Sequence, residues 1–344
     1  MNVGEIHPMR AQSMPAVIVG KGAKKGEWNH VSLEMVEIPA LREGEALVQV
    51  EACSVNRADL LQRRGLYPPP PGASQVLGLD FAGYVVKGPG DSAFQENNRV
   101  FGIVAGGGYG RYVAVAADHL VPIPENLSFT EAAAAAEVFF TAYYNLFSQA
   151  GMKTGDVLLL HGGGSGVGTA AIQLGSSIGA RVIITAGSED KIKRALDLGA
   201  SSGINYKQED FAGRVLDITT GKGVDIILDW IGASYLRKHL EILKTGGRLV
   251  LIGLMGGSGG EINLAPVVSK RLKIIGSVLR SQSREEKAAI ARGFIDIVLP
   301  LLKSGRVRPV IDRIFSMREV EDAHRYLSKG EHFGKIVLTW ESFS

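Results

Sequence analysis

The chain has 344 residues, 45% of them hydrophobic, which is enough to bury two cores of ordinary domain size. Its 38 basic and 35 acidic residues are interspersed and leave a net charge of +3, so no basic stripe marks it for nucleic acid. A single cysteine, Cys53, excludes an intrachain disulfide framework and a multi-cysteine zinc site, and no apolar run reaches the roughly 20 residues of a membrane span.

Residues 1–15 read as a floppy N-terminal extension. They lack the apolar core of a secretory signal and the arginine density of a transit peptide, and a cytoplasmic protein is expected. From 16 to about 137, short apolar segments at 46–51, 82–86, 99–104 and 112–116 sit between Gly and Pro punctuation and predict strands. The run Tyr67-Pro68-Pro69-Pro70-Pro71-Gly72 fits neither helix nor central strand and predicts a stiff extended loop. At 129–147 the pattern turns helical, with Thr130 as the predicted N-cap ahead of an alanine run.

Strand and helix then alternate: strands at 157–160, 181–185, 203–205, 224–229 and 248–252, with helices to 178 and at 191–198, 211–219 and 235–243 between them. Alternation with short connections predicts a parallel sheet covered on both faces. A strand at 273–278, an amphipathic helix at 284–303, a strand at 310–315, a helix at 318–327 and a last strand at 335–338 resemble the first half again. The expected fold is therefore α/β, with a doubly wound parallel-sheet (Rossmann) cofactor domain at 139–284 inserted in a mostly β domain made of 16–138 and 285–344. Ligands are expected in the cleft between the two.

The most informative stretch is 156–179, where an apolar strand enters a glycine-rich turn that opens a helix. Gly162, Gly163, Gly164, Gly166 and Gly168 surround Ser165, so the spacing departs from G-x-G-x-x-G. The turn still predicts a pyrophosphate cradle, carried by Gly164, Ser165, Gly166 and Val167. The second strand ends Ile184-Thr185-Ala186-Gly187-Ser188 and carries no carboxylate at its tip, where a protein that takes NAD has one. Small residues leave room for a 2′-phosphate; Ser188 has a hydroxyl to donate, Lys191 a positive charge, and Tyr206 a second hydroxyl. NADPH is the expected cofactor, with Ser188 as a plain helix cap and Lys191 as a solvated lysine left as the alternative.

Six segments together carry a resemblance: Ser54-Val55-Asn56-Arg57-Ala58-Asp59-Leu60, Leu77-Gly78-Leu79-Asp80-Phe81-Ala82-Gly83, the glycine turn, Thr185-Ala186-Gly187-Ser188, Ile204-Asn205-Tyr206 and Gly334-Lys335-Ile336-Val337-Leu338. The chain resembles the medium-chain dehydrogenase/reductases, in their zinc-free NADPH:quinone oxidoreductase (zeta-crystallin-like) branch, over nearly all of 14–338. The resemblance implies a GroES-like outer domain. In the zinc-dependent branch a cysteine and a histidine match Asn56 and Leu79, and a four-cysteine lobe holds a structural zinc; this chain has neither, so no metal is expected. Without zinc to lower an alcohol's pKa, what remains is hydride donation to an acceptor that is already electrophilic, such as a quinone.

The resemblance also implies site residues. Tyr67 would touch substrate and donate a proton, Asn56 would supply a polarising hydrogen bond beside the nicotinamide, and Asp59 would either line the cleft or hold a neighbouring loop. Thr141 would approach the nicotinamide, Leu254, Met255, Leu279 and Arg280 would frame its carboxamide side, and Lys335 would neighbour a phosphate. A homodimer paired along the strand at 273–278 is implied as well. Two rivals stay open: a 2-enoyl thioester or alkenal (enone) reductase in which Tyr67 protonates the α-carbon, and an NADPH-binding sensor or structural protein of low activity. Cys53 reads as a strand residue, His161 as a group that orients the turn, and His119, His239 and His324 as lacking ligand spacing.

Overall fold

The structure, a computed structural model, describes residues 12–20, 22–90 and 92–340. Strand β1 (Ser13–Val19) pairs antiparallel with β2 (Val31–Glu37). It thus claims three residues that the sequence reading left in the extension, because Met14 and Ala16 bury their side chains; residues 1–11 lie outside the described residues. Next come β3 (Glu45–Val55), the short helix α1 (Arg57–Arg63), β4 (Asp80–Lys87), β5 (Arg99–Ile103), β6 (Tyr112–Ala116) and β7 (Val121–Pro122). Helix α1 was not foreseen. Its local signal is the Asn56-x-x-Asp59 capping-box pattern, in which the Asp59 carboxylate accepts from Asn56 N at 2.8 Å and Asp59 N donates to Asn56 O at 3.1 Å.

The N-cap of helix α2 (Phe129–Tyr143) lies two residues ahead of the predicted one. Ser128, not Thr130, is the N-cap: Glu131 N donates to Ser128 Oγ at 3.2 Å, and Ser128 N donates to the Glu131 carboxylate at 2.9 Å. The alanines at 132–136 are fully buried, and their small side chains let α2 share one core with Phe101 and Val337 of the outer sheet and Leu158 and Leu160 of the next.

The second sheet follows in chain order as β8 (Val157–Leu160), α3 (Gly166–Ser177), β9 (Arg181–Ala186), α4 (Glu189–Asp197), β10 (Ser202–Asn205), α5 (Phe211–Ile218), β11 (Val224–Asp229), α6 (Ala233–Ile242), β12 (Leu243–Leu251), α7 (Ala265–Ser269) and β13 (Lys273–Gly276). Its six strands are parallel and ordered β10-β9-β8-β11-β12-β13, the doubly wound arrangement whose crevice opens at the strands' carboxyl ends. β12 begins five residues before the predicted 248 because Leu243 already pairs with Val224, ahead of a bulge.

The chain then returns to the first sheet through α8 (Arg284–Ile297), α9 (Leu299–Lys303), β14 (Ile311–Ser316), a 3₁₀ turn at Met317–Glu319, α10 (Val320–Lys329) and β15 (Lys335–Thr339). The single predicted helix at 284–303 is two, since Pro300 supplies no N–H to continue the first. β15 pairs with β14 and β3, giving the order β14-β15-β3-β4-β5-β7 with β6 added on β3. The expected fold class is the one observed: a GroES-like outer sheet completed by both ends of the chain, and a Rossmann sheet between. The two meet at the glycine turn, where Gly334 N donates to Gly164 O at 2.9 Å.

Candidate active site

The glycine turn leaves β8 and opens α3. Ser165 caps the helix, accepting from Gly168 N at 3.0 Å. Glycine is required here by close approach: a Cβ on Gly168 would stand 2.5 Å from Gly162 O, and one on Gly166 would stand 2.5 Å from Lys335 Cδ. Gly163 N donates to Thr185 O on β9 and Ser165 N to Gly162 O within the turn, but the N–H groups of Gly164, Gly166 and Val167 find no acceptor among the described residues. Three open donors at the positive end of a 12-residue helix are a donor set that fits a pyrophosphate.

At the tip of β9 several polar side chains converge on Gly187. A Cβ there would stand 2.9 Å from the Tyr206 hydroxyl and 3.2 Å from Lys207 Cε. Ser188 caps α4 through its oxygen, which accepts from Lys191 N at 3.4 Å and leaves the hydroxyl proton to donate elsewhere. Lys191 stretches from Gly164 to Gly330 O, to which Nζ donates at 2.6 Å; burial, with neighbouring Arg194 and Lys207, lowers its pKa despite the opposing carboxylate of Asp312. Glu189 accepts from Asn205 Nδ2 at 2.7 Å, so one of the two carboxylates near this tip is engaged across the strand ends. Lys207 escaped the sequence reading, though it adjoins Tyr206.

On the other side of the cleft lies a buried polar chain. Lys335 Nζ donates to Val55 O at 2.9 Å and to Asn56 Oδ1 at 2.6 Å; Asn56 Nδ2 donates to Asp80 Oδ2 at 2.7 Å and to Ser54 O at 3.2 Å. Ser54 adds its N–H and hydroxyl to the Asp80 carboxylate. Burial still raises the Asp80 pKa, with Lys335 and these donors opposing. Two expectations change. The Asn56 amide, expected to polarise a substrate, is committed at both ends inside the protein. The Lys335 ammonium, expected near a phosphate, holds Asn56 while its stem packs under Gly166.

Asp59 lies behind this chain and is fully enclosed. Its carboxylate accepts from Asn56 N, from Gly78 N at 3.2 Å and from the Tyr109 hydroxyl at 3.1 Å, so it braces α1 and the Gly78 turn without reaching the cleft. Burial pushes its pKa up to about 7. Arg280 is likewise spent on structure: Nε donates to Ala105 O at 2.8 Å, Nη1 to Tyr67 O at 3.1 Å and Nη2 to the Gln62 amide oxygen. Its guanidinium sits 5.1 Å from the Tyr67 ring centroid, and so fixes the polyproline loop that presents this tyrosine.

Tyr67 itself is half-buried, and burial raises its phenol pKa; Arg280 opposes the rise and Glu137 adds to it. Glu137, like Lys207, is a site residue the sequence reading missed. It stands one turn before Thr141 on α2, accepts from the Thr141 hydroxyl at 2.9 Å, and has its own pKa raised by burial against the pull of Lys335. Its signal was a lone carboxylate among apolar helix residues, which has no reason to be there unless it meets polar partners. Leu254 and Met255 are exposed past the end of β12, where Leu254 covers Gly232, and Leu279 packs against the core shared by the two sheets. Cys53 lies in β3 opposite Leu338, its thiol pushed up by burial.

Residues 42–125 match the alcohol dehydrogenase GroES-like domain, and residues 166–293 match the zinc-binding dehydrogenase family. The quinone oxidoreductase of Homo sapiens is 34% identical over 312 residues, and that of Rattus norvegicus 33% over 307; each match covers 88% of this chain and 91% of the relative. The solved quinone oxidoreductase of Pseudomonas syringae pv. Tomato DC3000 superposes with a TM-score of 0.81 at 27% identity, over 95% of this chain and 99% of that one. A mycobacterial protein complexed with NADPH gives 0.81 at 26% over 95% and 99%, and the CurF ER cyclopropanase of curacin A biosynthesis gives 0.82 at 26% over 96% and 100%. No helix among the described residues is long and apolar enough to cross a membrane. The chain belongs to the medium-chain dehydrogenase/reductase family of nucleotide-dependent oxidoreductases, on its quinone oxidoreductase branch.

Proposed function

We propose that the protein is an NADPH-dependent quinone reductase that works without a metal. The observation that carries this reading is the donor set at the two positions where the zinc-dependent branch has its cysteine and histidine. Asn56 spends its amide on Lys335, Asp80 and Ser54, and Leu79 is a buried hydrocarbon. Neither offers zinc a thiolate or an imidazole, so these two positions supply no Lewis acid to lower an alcohol's pKa. A quinone needs no such activation. The likeness to quinone oxidoreductases along most of the chain supports the same reading.

When bound, the cofactor supplies a hydride from its reduced nicotinamide. The chain's own residues position and exclude. Gly164, Gly166 and Val167 hold the pyrophosphate through their backbone donors; Ser188, Lys191, Tyr206 and Lys207 receive the 2′-phosphate. Thr141 borders the nicotinamide, and the backbone near Leu254, Met255 and Leu279 frames its carboxamide. Tyr67 covers the acceptor, excludes water and donates the proton its reduced oxygen needs, while Glu137 keeps the phenol protonated until then. The NADPH complex of a structural neighbour favours this cofactor.

A second reading, reduction of an activated alkene, draws on the likeness to CurF ER and on the same phenol, which suits protonation of carbon. Steady-state rates on a simple quinone and an enone, each with NADPH and NADH, separate the two; an enone preference of several orders refutes the quinone reading. Paired Lys191→Ala and Tyr206→Phe should lower the preference for NADPH by about tenfold or more, and an unchanged preference overturns the 2′-phosphate assignment. The exposed edge strand β13, with Ile274 outward, is proposed to pair two copies into a cytoplasmic homodimer, which light scattering showing only monomer would exclude.

A further inference from the structure

Beneath the nucleotide site, four buried side chains join the ends of three strands. His161 follows β8, Thr185 is on β9, Asp229 ends β11 and His239 is on α6; all are 0 or 1% exposed. His161 Nδ1 lies 3.1 Å from Thr185 Oγ1, the two Nε2 atoms of His161 and His239 lie 2.8 Å apart, and His239 Nδ1 faces Asp229 Oδ2 at 3.9 Å with no hydrogen-bond partner. Rings of Phe211 and Tyr235 pack around the pair. The 2.8 Å separation is that of a shared proton; two imidazole ligands of one tetrahedral zinc at its usual bond lengths would stand about 3.3 Å apart.

The chain has two anchored ends. Asp229 accepts from Ile231 N at 2.8 Å and Gly232 N at 2.9 Å, holding the loop that Leu254 covers. Thr185 Oγ1 accepts from Gly162 N at 3.3 Å, holding the first residue of the glycine turn. Only one proton order satisfies both. The Asp229 carboxylate, already an acceptor twice, favours a proton on His239 Nδ1. His239 Nε2 is then bare and accepts from His161 Nε2–H. His161 Nδ1 is in turn bare and accepts the Thr185 hydroxyl, which turns a Thr185 lone pair to Gly162 N–H. The reverse order would set a bare Nδ1 against a carboxylate and aim two N–H groups at Thr185. Burial keeps both rings neutral, with His239 lowered to about 3.

We propose that Asp229, His239, His161 and Thr185 form a proton-ordered relay that holds the glycine turn in the shape that receives the pyrophosphate, which makes His239 a positioning residue for cofactor affinity. The proposal rests on the dinucleotide reading of that turn. The test has two arms. Nitrogen-15 spectra of histidine in the ligand-free protein should show His239 protonated on Nδ1 and His161 on Nε2; the opposite tautomers overturn the relay whatever the protein binds. NADPH titrations should show His239→Leu binding about tenfold more weakly, whereas His239→Gln, whose amide oxygen accepts from His161 and whose amide nitrogen faces Asp229, stays within about threefold of the parent. Equal losses in the two variants overturn it. If His239→Leu does not fold, Thr185→Val reads the other end: weaker NADPH binding with His239 still protonated on Nδ1 supports the relay, and unchanged affinity overturns it. A parent protein that binds no NADPH would refute the dinucleotide reading while leaving the tautomers to judge the relay.

Discussion

Removing the Lys335 ammonium tests whether the polar chain beneath the cleft is a charge-compensated unit. In Lys335→Met the stem is nearly preserved, but the donors to Val55 O and Asn56 Oδ1 vanish. The Asp80 carboxylate keeps its bonds from Ser54 and Asn56 and loses the cation that opposes its burial. The two charges are bridged by the Asn56 amide, with 2.6 Å on one side and 2.7 Å on the other, which puts them about 6–7 Å apart. At an effective dielectric constant of about 20 this is worth about 2.5 kcal/mol. With the lost hydrogen bonds, the total falls in the range of about 3–5 kcal/mol for stripping one partner from a buried pair. Differential scanning fluorimetry should record a fall in Tm of roughly 4–7 °C. Adding Asp80→Asn removes the stranded charge and should return about half of the loss. If the double variant is as unstable as the sum of the two singles, Lys335 and Asp80 are not coupled and the argument fails.

Glu137→Gln retains an acceptor for the Thr141 hydroxyl but removes a negative charge that raises the Tyr67 pKa; the phenol should ionise at lower pH, read as an earlier ultraviolet phenolate transition and an earlier alkaline limb in kcat. Tyr67→Phe should abolish that limb and lower kcat for the quinone by about 10²-fold, the usual size of a lost general acid. Asp59, raised to about 7 from an ordinary carboxylate value, stabilises the fold fully below about pH 4 and progressively less as the pH rises through 7. The stability of the parent relative to Asp59→Asn, followed by urea denaturation, should therefore decline between pH 4 and 7. His324, lowered to about 3 by burial, has the opposite sign: its contribution is full above about pH 6.5 and is lost as the pH falls toward 3, so His324→Phe should flatten the acid limb of the same curve.

The elements that were legible in the sequence are those whose limits are set locally. β8 and β11 fall on the predicted residues because each is an apolar run closed by a turn signal. Where a partner decides, the reading stopped short: β12 begins at Leu243 because Val224 is there to pair with it, and β1 takes in residues 13–15 because Val31 to Glu37 lie alongside. Two misses were readable. Ser128-Phe129-Thr130-Glu131 is a capping box, and Pro300 announces the break between α8 and α9.

The candidate site divides differently. Residue identities along the nucleotide side, Gly164 to Val167 with Ser188, Lys191 and Tyr206, could be taken from the sequence because backbone donors and a missing carboxylate are local properties. The resemblance named Asn56 and Asp59 beside the nicotinamide, Arg280 at its carboxamide side and Lys335 near a phosphate, and the structure bonds all four to protein partners. No pattern along the chain reveals that an amide is used at both ends, because its partners come from β4 and β15, 24 and 279 residues away. The consequence is chemical. With those four spent on protein partners, the proposed reading assigns proton supply to Tyr67, Thr141 and Glu137: a phenol, a hydroxyl and one half-buried carboxylate. Under the proposed reading, such a set supplies the proton that completes a reduction begun by hydride, and it contains no thiolate or imidazole to hold a zinc that would lower an alcohol's pKa.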